Sequence, residues 1–563
     1  MQTLKTQVLI VGAGPVGLTA AIDLASRGID VVVAEIRRSG EPPNVKCNHV
    51  AARTMEVFRR LGIVGRVRQA GLPSDYPSDC VYRTSVMGRE LSRIPIPSRA
   101  DRYTATEGPD TDWPTCEPPH RINQIYLEPI LYACAQERPE VRLLDQVMVD
   151  SFEQNPEGVV AYARDLQRGD ELAISAEYLI GCDGGRSMVR KAIGSRLNGV
   201  DVVQRVQSTY INAPDLLGLI PHRPAWMTMS LNPRRCGTTV AIDGEENWLI
   251  HNHLSPEESF DDVDRDWAIR TILGVDDRFR YEILSKEDWI GRRLVADRFR
   301  CGRVFICGDA AHLWIPYAGY GMNAGIADAV DLTWLLASVL HGWGDAGMLD
   351  AYELERQPIT EQVSEFAMKH ALAVMEQKRT IPPEIELDGP TGDEVREKIG
   401  RAAYDLNVHQ YCCAGLNFGY YYDRSPIIAY DGETPPLYTM GTFVPSTVPG
   451  ARVPHLRLPD GRPLLDRLGS IYTLIRFDKV LDIGPLLDAA VSAKVPLAVV
   501  DVEPEAADFP FPEKMLIVRP DTHIAWRGLT APKDPIQLVN RLRGAAELGD
   551  RLCQVSPEGR PPT

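Results

Sequence analysis

The sequence predicts an α/β fold in three units: a parallel nucleotide-binding sheet, a second domain on a mixed or antiparallel sheet inserted into it, and a small separate α/β unit at the end. Three observations predict it. A strand, a Gly-rich turn, a helix and a second strand open the chain. Two later buried strands, ending at Asp183 and Asp309, repeat the parallel-strand pattern, and the texture between them is antiparallel. From about Thr434 the strand–helix alternation starts again.

Taken in order, Gln7–Val11 reads as a short buried strand, Pro15–Arg27 as an Ala- and Leu-rich helix, and Asp30–Ala34 as a second buried strand. Ala52–Leu61 is a helix closed by Gly62, and Pro73 to Pro119 is Pro-rich surface loop with some strand. Val141–Val149 and Val159–Ala163 read as strands, and Glu177–Cys182 as a buried one. Trp226–Leu231, Thr238–Ile242 and Asn247–His253 form an antiparallel set, with Asp243-Gly244 as a tight turn. Arg303–Cys307 returns to the buried pattern, a long helix starts near Gly321, helical periodicity continues to Arg379, and Ile381–Asp393 reads as a linker. In the last unit Ile471–Phe477, Pro496–Val502 and Met515–Val518 are strands, with helices near Leu481–Ala493 and Pro535–Ala546.

Composition narrows the function. The 563 residues at 62.5 kDa, 44% hydrophobic, suffice for about three domains with large cores. With 61 basic and 77 acidic residues the formal charge is −16, which gives nucleic acid or an anionic membrane no electrostatic footing. The 11 cysteines include no C-x-x-C, so a zinc clip and a thioredoxin-type redox pair are unsupported, and reduced core thiols are expected. The longest apolar stretch, Gly321 to Trp343, carries Asp328 and Asp331 and has helical periodicity, so no membrane span is expected. The opening residues do not form a signal peptide, and the cytoplasm is the expected compartment.

Gly12-Ala13-Gly14-Pro15-Val16-Gly17 leaves a strand and opens a helix. Gly12 permits the tight turn, Gly14 lets backbone approach a pyrophosphate, and Gly17 allows close helix–strand packing. Glu35 ends the second strand, 18 residues after Gly17, where an acid binds ribose hydroxyls of either NAD or FAD. Gly181-Cys182-Asp183-Gly184-Gly185-Arg186-Ser187 and Gly308-Asp309-Ala310-Ala311-His312 each put a carboxylate at a parallel strand's carboxyl end, where open α/β sheets bind ligands. Either acid alone could instead cap the next helix.

The trio resembles the group A flavoprotein monooxygenases, the FAD-dependent aromatic hydroxylases with the para-hydroxybenzoate hydroxylase fold, over about residues 5–375. Arg53-Thr54-Met55-Glu56, Arg60-Leu61-Gly62 and Arg121-x-x-Gln124-x-x-Leu127-Glu128 belong to the same resemblance. Arg519-Pro520-Asp521 and Ala525-Trp526-Arg527 look like the thioredoxin-like tail of the phenol and polyketide hydroxylase branch. The implied architecture is a Rossmann-like FAD-binding domain in three parts (1–75, 121–190, 291–380), a substrate domain in two (76–120, 191–290), a linker and helical connection (381–433), and a thioredoxin-like domain (434–563). By the resemblance, Gly12, Gly14, Pro15, Val16 and Gly17 cradle the FAD pyrophosphate and Glu35 holds the adenosine ribose. Gln124 contacts the ribityl–phosphate region, Asp309 the ribitol, and Asp183 lies near the pyrophosphate. Lys46 stands near where relatives carry an arginine, keeping charge but losing the bidentate fork.

Pro316-Tyr317-Ala318-Gly319-Tyr320-Gly321-Met322-Asn323 bears most on mechanism. Met322, Ile326, Ala329, Thr333, Leu336 and Leu340 share one helical face, so a helix N-terminus near Gly321 presents N–H groups and partial positive charge to the flavin. Gly319, Gly321, Met322 and Asn323 are therefore cofactor-binding candidates; Tyr320 replaces the family's usual Gln. Catalytic candidates are Pro316, together with His49 and His251 as hydrogen-bond partners or bases for a phenol, although a structural role suits either histidine. Trp226, Trp248 and Trp289 are stacking or core residues, His312 fixes a turn or touches substrate, and no metal set is evident.

The implied reaction is NAD(P)H- and O2-dependent hydroxylation of a phenolic or polyketide-type ring through a flavin C4a-hydroperoxide, with NADPH or NADH as co-substrate. Baeyer–Villiger insertion or epoxidation on the same fold, and a non-catalytic flavin sensor or scaffold, are the alternatives. A halogenase lacks its W-x-W-x-I-P segment here. A homodimer is one assembly open to such a chain. The tail is expected to be redox-inert, since Cys553 is the only cysteine after Cys413.

Overall fold

The computed structural model describes residues 2–503 and 510–545. Its centre is a six-stranded sheet in the order Arg300–Cys301, Val304–Ile306, Tyr178–Gly181, Val8–Val11, Val31–Glu35, Val141–Asp145. All pairings are parallel except the first. Val8–Val11 is wholly buried because helices cover the sheet, among them Pro15–Ser26 and Gly321–Leu340. Four adjacent, mutually parallel strands, Val304–Ile306, Tyr178–Gly181, Val8–Val11 and Val31–Glu35, each run into one motif, so Asp309, Asp183, Gly12 and Glu35 stand in a row along one edge of the sheet.

The segment expected as one strand, Val141–Val149, is two. Gln146 adopts φ 56, a left-handed conformation that turns the chain, so Val141–Asp145 joins the parallel sheet while Val147–Gln154 joins a second, four-stranded sheet. That sheet also contains Gln2–Lys5 and Glu171–Ala176, two strands the sequence reading lacked.

The inserted sheet has eight strands, ordered His312–Trp314, Glu282–Ala296, Leu197–Asn212, Asn247–His253, Gly237–Ala241, Met227–Ser230, Cys80–Arg83, Glu90–Ile94. Its mixed character comes from one parallel pairing, between Met227–Ser230 and Cys80–Arg83. One face carries the helix Arg265–Leu273, whose Ile272 lies against Gly237. Along Asn247–His253, Leu249, His251 and His253 point to the opposite face, because alternate residues of a strand do.

The expected linker is short. Pro383–Glu386 is a single helical turn, and a 22-residue helix, Pro390–Tyr411, packs back on Glu90–Ile94 so closely that a Cβ on Gly400 would stand 2.1 Å from the Leu91 carbonyl oxygen. Gly321–Leu340 is long and apolar enough to cross a bilayer, but 83% of its apolar 18-residue window is buried inside the protein. Its Asp328 is ion-paired there at 2.9 Å with Arg356.

The C-terminal sheet runs Leu497–Asp501, Tyr472–Arg476, Met515–Val518, Ile524–Gly528, flanked by Gly484–Ser492 and Pro535–Leu542. The sequence reading lacked its last strand and treated the unit as separate. Its inner residues, including Leu474, Met515 and Ile517, instead continue the core of the nucleotide sheet, and Tyr472 meets Trp334 and Trp343 edge-on. Arg519 completes the seam with a bidentate pair to Glu355, 2.6 Å at each contact. Glu355 precedes Arg356, so one helix turn joins the tail to Asp328. Cys553 lies outside the described residues.

Candidate active site

The three glycines of the first turn differ in what demands them. Gly12 has φ +104, and a Cβ there would sit 2.4 Å from the Cys182 carbonyl oxygen. A Cβ on Gly17 would lie 2.0 Å from the Gly12 carbonyl oxygen. Gly14 has no protein atom within 4 Å of that position, so nothing in the chain itself requires glycine there. The helix that follows has Pro15 at its start, no side-chain cap and no acid in its first turn, so its N-terminal N–H groups face the same open side as Gly14. A pyrophosphate fits this turn: it needs uncapped donors and a position without Cβ.

Glu35 ends its strand beneath the turn. Its Oε2 accepts the Ala13 N–H at 2.7 Å, and Oε1 accepts from the Arg37 backbone at 2.9 Å and Nε at 3.0 Å. Burial alone would raise its pKa, but the donors and charge of Arg37 outweigh it and hold the carboxyl below its usual range. Arg37 Nη2 reaches Oε2 at 3.4 Å as well, so four protein donors meet the carboxylate's about four acceptor positions, and a ribose hydroxyl would take the place of this longest contact. Arg37 also binds Glu128 at 2.6 Å, and Glu128 takes Gln124 Nε2 at 3.1 Å, so Gln124 is oriented from Glu35 through two ion pairs. Sequence reasoning missed Arg37; the basic pair directly after the strand-end acid was the available signal.

Asp183 and Asp309 diverge. Asp183 Oδ2 accepts the N–H groups of Met188 at 2.7 Å and Val189 at 3.1 Å, and Oδ1 accepts Ser187 Oγ at 2.5 Å. Its carboxylate caps the helix Met188–Ala192, the role left open for it above; what faces the Gly12 turn is the Cys182 carbonyl. Asp309 stands on a one-turn helix, Gly308–Ala310, with its side chain accessible from a crevice. The crevice walls desolvate the carboxyl and raise its pKa, against the pull of His312 and Lys46. Its turn is held from behind, where Asp328 accepts the Gly308 N–H at 3.2 Å and His312 Nε2 at 2.6 Å. His312 therefore fixes the turn.

Pro316 is exposed, Tyr317–Gly319 is a helical turn, and Gly321 begins the 20-residue helix, again without a side-chain cap. Gly319 has φ +59, and a Cβ there would lie 3.2 Å from the ring of the buried His49. Asn323 joins the segments: its Oδ1 accepts the Ala51 N–H at 2.8 Å, and its Nδ2 donates to the His49 carbonyl at 3.1 Å and to Gly319 at 2.7 Å. His49 thus underlies the Gly319 turn. Tyr320 turns into the core and donates to the Leu416 carbonyl at 3.1 Å, so it leaves the helix start at Gly321 unaltered. Met322 is half-buried at that start. Lys46 pairs with Glu287 of the inserted sheet at 2.8 Å, tying the two domains together rather than pointing freely at a ligand.

On the inserted sheet, His251 stands between Ser208 and Thr238 of the neighbouring strands. Its Nδ1 is 2.6 Å from Ser208 Oγ, which also accepts the Trp289 indole N–H at 2.7 Å. Burial first, and the nearby Lys378 second, push the His251 pKa down to about 4. It is neutral near pH 7 and a weaker base than an ordinary imidazole, and its Nε2 can hydrogen-bond. Trp248 is buried on the other face, and Trp226 packs between Arg121 and Tyr411. Across from His251, His370 bonds Gln410 at 2.9 Å and meets Tyr317 edge-on at 5.5 Å. Among the described residues no group of His, Cys, Asp and Glu could hold a metal ion.

An uncapped helix behind a Gly-x-Gly turn, an acid beneath that turn, an exposed strand-end carboxylate and a second uncapped helix suit a flavoenzyme with a separate substrate domain. The FAD binding domain family matches residues 5–367, and the aromatic-ring hydroxylase C-terminal family matches residues 446–546. The chain belongs to these FAD-dependent aromatic-ring hydroxylases. Aklavinone 12-hydroxylase RdmE of Streptomyces purpurascens is 30% identical, covering 95% of this chain and 97% of its own. Phenol 2-monooxygenase of Pseudomonas sp. (strain EST1001) is 29% identical over 94% of this chain and 91% of its own. The rebeccamycin biosynthetic enzyme RebC with reduced flavin superposes with a TM-score of 0.88 at 33% identity, over 97% of this chain and 100% of that one.

Proposed function

We propose that this monooxygenase consumes NADPH or NADH and O2 to place one hydroxyl oxygen on a phenolic or polyketide-type aromatic substrate. The observation that carries the reading is the pair of helix N-termini without side-chain caps, at Pro15 and Gly321, together with the acids Glu35 and Asp309 at the carboxyl ends of parallel strands of one sheet. FAD, when bound, supplies the redox chemistry and the activation of oxygen. The chain's own residues hold and orient. Gly12 to Gly17 and the first-turn amides would receive the pyrophosphate, Glu35 the adenosine ribose, Gln124 and Asp309 the ribityl chain, and residues 319–323 the ring edge, with Asp183 supporting the turn beside them. The Gly321 helix terminus favours negative charge near it. On the substrate side, neutral His251 offers a hydrogen bond to a phenol oxygen, and Pro316 and Tyr317 close the crevice near the ring. Lys46, through Glu287, keeps the two domains in register.

Relatives named as hydroxylases favour hydroxylation over Baeyer–Villiger insertion, epoxidation or a sensor role. A cytoplasmic homodimer belongs to the same proposal, and light scattering tests the assembly. The decisive experiment supplies labelled O2 with NAD(P)H and a panel of phenols and polycyclic hydroxyaromatics. With 18O2, one labelled oxygen is expected in a product 18 mass units heavier than its substrate, against 16 with ordinary O2; label confined to peroxide or water across the panel overturns the reading.

A further inference from the structure

Lys378 lies in the last turn of the helix Asp350–Arg379 and is half-buried, with its Nζ enclosed. That ammonium makes no hydrogen bond and no ion pair among the described residues. The acid nearest in sequence, Glu376, pairs instead with exposed Arg379 at 2.8 Å. The groups that feel its charge are His251 and His253 on the inserted sheet and His370 on its own helix, whose protonation it opposes, and the Cys236 thiol. No carboxylate is among them. Cys236 itself lies within 4.0 Å of the Lys378 carbonyl oxygen, which fixes this helix end against the sheet.

An enclosed cation without an anion is a costly arrangement that proteins ordinarily relieve by pairing. Burial lowers the Lys378 pKa to about 8, which leaves the ammonium mostly charged near neutrality. Its surroundings add donors rather than acceptors. The Trp289 indole can only donate to Ser208 Oγ, so the serine proton is directed to His251 Nδ1 and the imidazole proton stays on Nε2. Every element here waits for an acceptor-only group.

We propose that Lys378 is a specificity-determining residue of the substrate site, binding the carboxylate of an elongated aromatic acid at the end remote from the ring that is hydroxylated. The inference rests on the aromatic-hydroxylase reading above. Remoteness follows from the helix: Lys378 is eight residues, about 12 Å, beyond His370, which touches Tyr317 beside the Gly319 turn. Between about pH 5 and 8 a carboxylate is ionised while this lysine is protonated, whereas an ordinary phenol is not ionised there, so the acid is the group that neutralises the charge at working pH.

The test uses the full-length, FAD-loaded protein and three probes on one ring system: a hydroxyanthracene carboxylic acid, its methyl ester and its carboxamide. Flavin absorbance titrations give Kd, and probe-stimulated NAD(P)H oxidation gives KM. The wild type is expected to prefer the acid by at least about tenfold, the value of one charge-assisted hydrogen bond. Lys378→Met is expected to raise the acid's Kd about 10- to 100-fold and erase the preference, while Lys378→Arg retains part of it. FAD content and ester binding report that each variant is folded. Equal affinity of the wild type for acid and ester, or an acid preference that survives in Lys378→Met, overturns the assignment while leaving the hydroxylase reading intact. If no hydroxyaromatic perturbs the flavin or stimulates oxidation, the hydroxylase reading itself falls and the assignment with it.

Discussion

Asp183 and Asp309 occupy equivalent places, each just beyond a parallel strand of one sheet, and each begins a Gly-Asp or Asp-Gly motif. One has its carboxylate consumed by three donors within six residues. The other is left open to the crevice and is held in place by groups that never touch its carboxylate. The difference teaches that strand-end position brings an acid to the ligand edge, while the local hydrogen-bond supply decides whether it acts on the protein or on the ligand.

Mutations separate these fates. The largest effect is expected one layer behind Asp309. Asp328→Asn removes the nearer of two carboxylates that pair with buried Arg356, Asp331 lying at 3.4 Å, and the charged acceptor of His312, and should cost up to about 3–5 kcal/mol in urea unfolding of the apoprotein. A loss under about 1 kcal/mol would show that the turn is held by other means. Next, Asp309→Ala should weaken FAD binding about 10- to 100-fold, the range for a hydrogen bond to a charged group, without lowering apoprotein stability. Because its surroundings oppose ionisation, stability at neutral pH should stay level or rise slightly. Unchanged FAD affinity by fluorescence titration would remove Asp309 from the cofactor site. Asp183→Ala should do the reverse: about 1–2 kcal/mol of stability lost with the cap, and FAD affinity within about threefold of the wild type. A larger affinity loss there would erase the contrast between the two acids.

The smallest effect is in pH dependence. Burial tends to raise the Asp328 pKa, but His312 and Arg356 overcome it and hold it below the ordinary value. Its contribution is therefore full above the unfolded-state pKa of about 4 and is lost as pH falls through the lower folded value. The stability gap between wild type and Asp328→Asn should narrow on acidification below about pH 4 and stay constant from about pH 5 to 7. A gap that widens in acid would reverse the assignment.

What was legible in the sequence was local. The Gly12 turn, Glu35 and the helix start at Gly321 announce themselves because backbone conformation and periodicity impose residue types at fixed spacing. The long strands Leu197–Asn212 and Glu282–Ala296 did not, since their exposed halves carry charges and blur the alternation. Gln146 hid a change of sheet because its left-handed conformation falls on a residue without a turn signature. Lys378 left no such signal, and the basic pair after Glu35 did not reveal the link from Arg37 to Glu128, for another reason. Their significance lies in which partners they have or lack, and those partners come from strands and helices far away in the chain.

The Arg519–Glu355 pair bears on how the molecule is made. Glu355 is buried, and the arginine that neutralises it is 164 residues further along the chain. At ribosomal rates of about 5–20 residues per second, Glu355 emerges roughly 8–33 s before its partner. The helix that carries Glu355 and Arg356 also steadies the Asp309 turn through Asp328, so until the tail is synthesised that helix carries a carboxylate without its counter-charge. A chain that stops short of Arg519 should therefore either bury an unpaired carboxylate one residue from Arg356 or keep that helix turn loose.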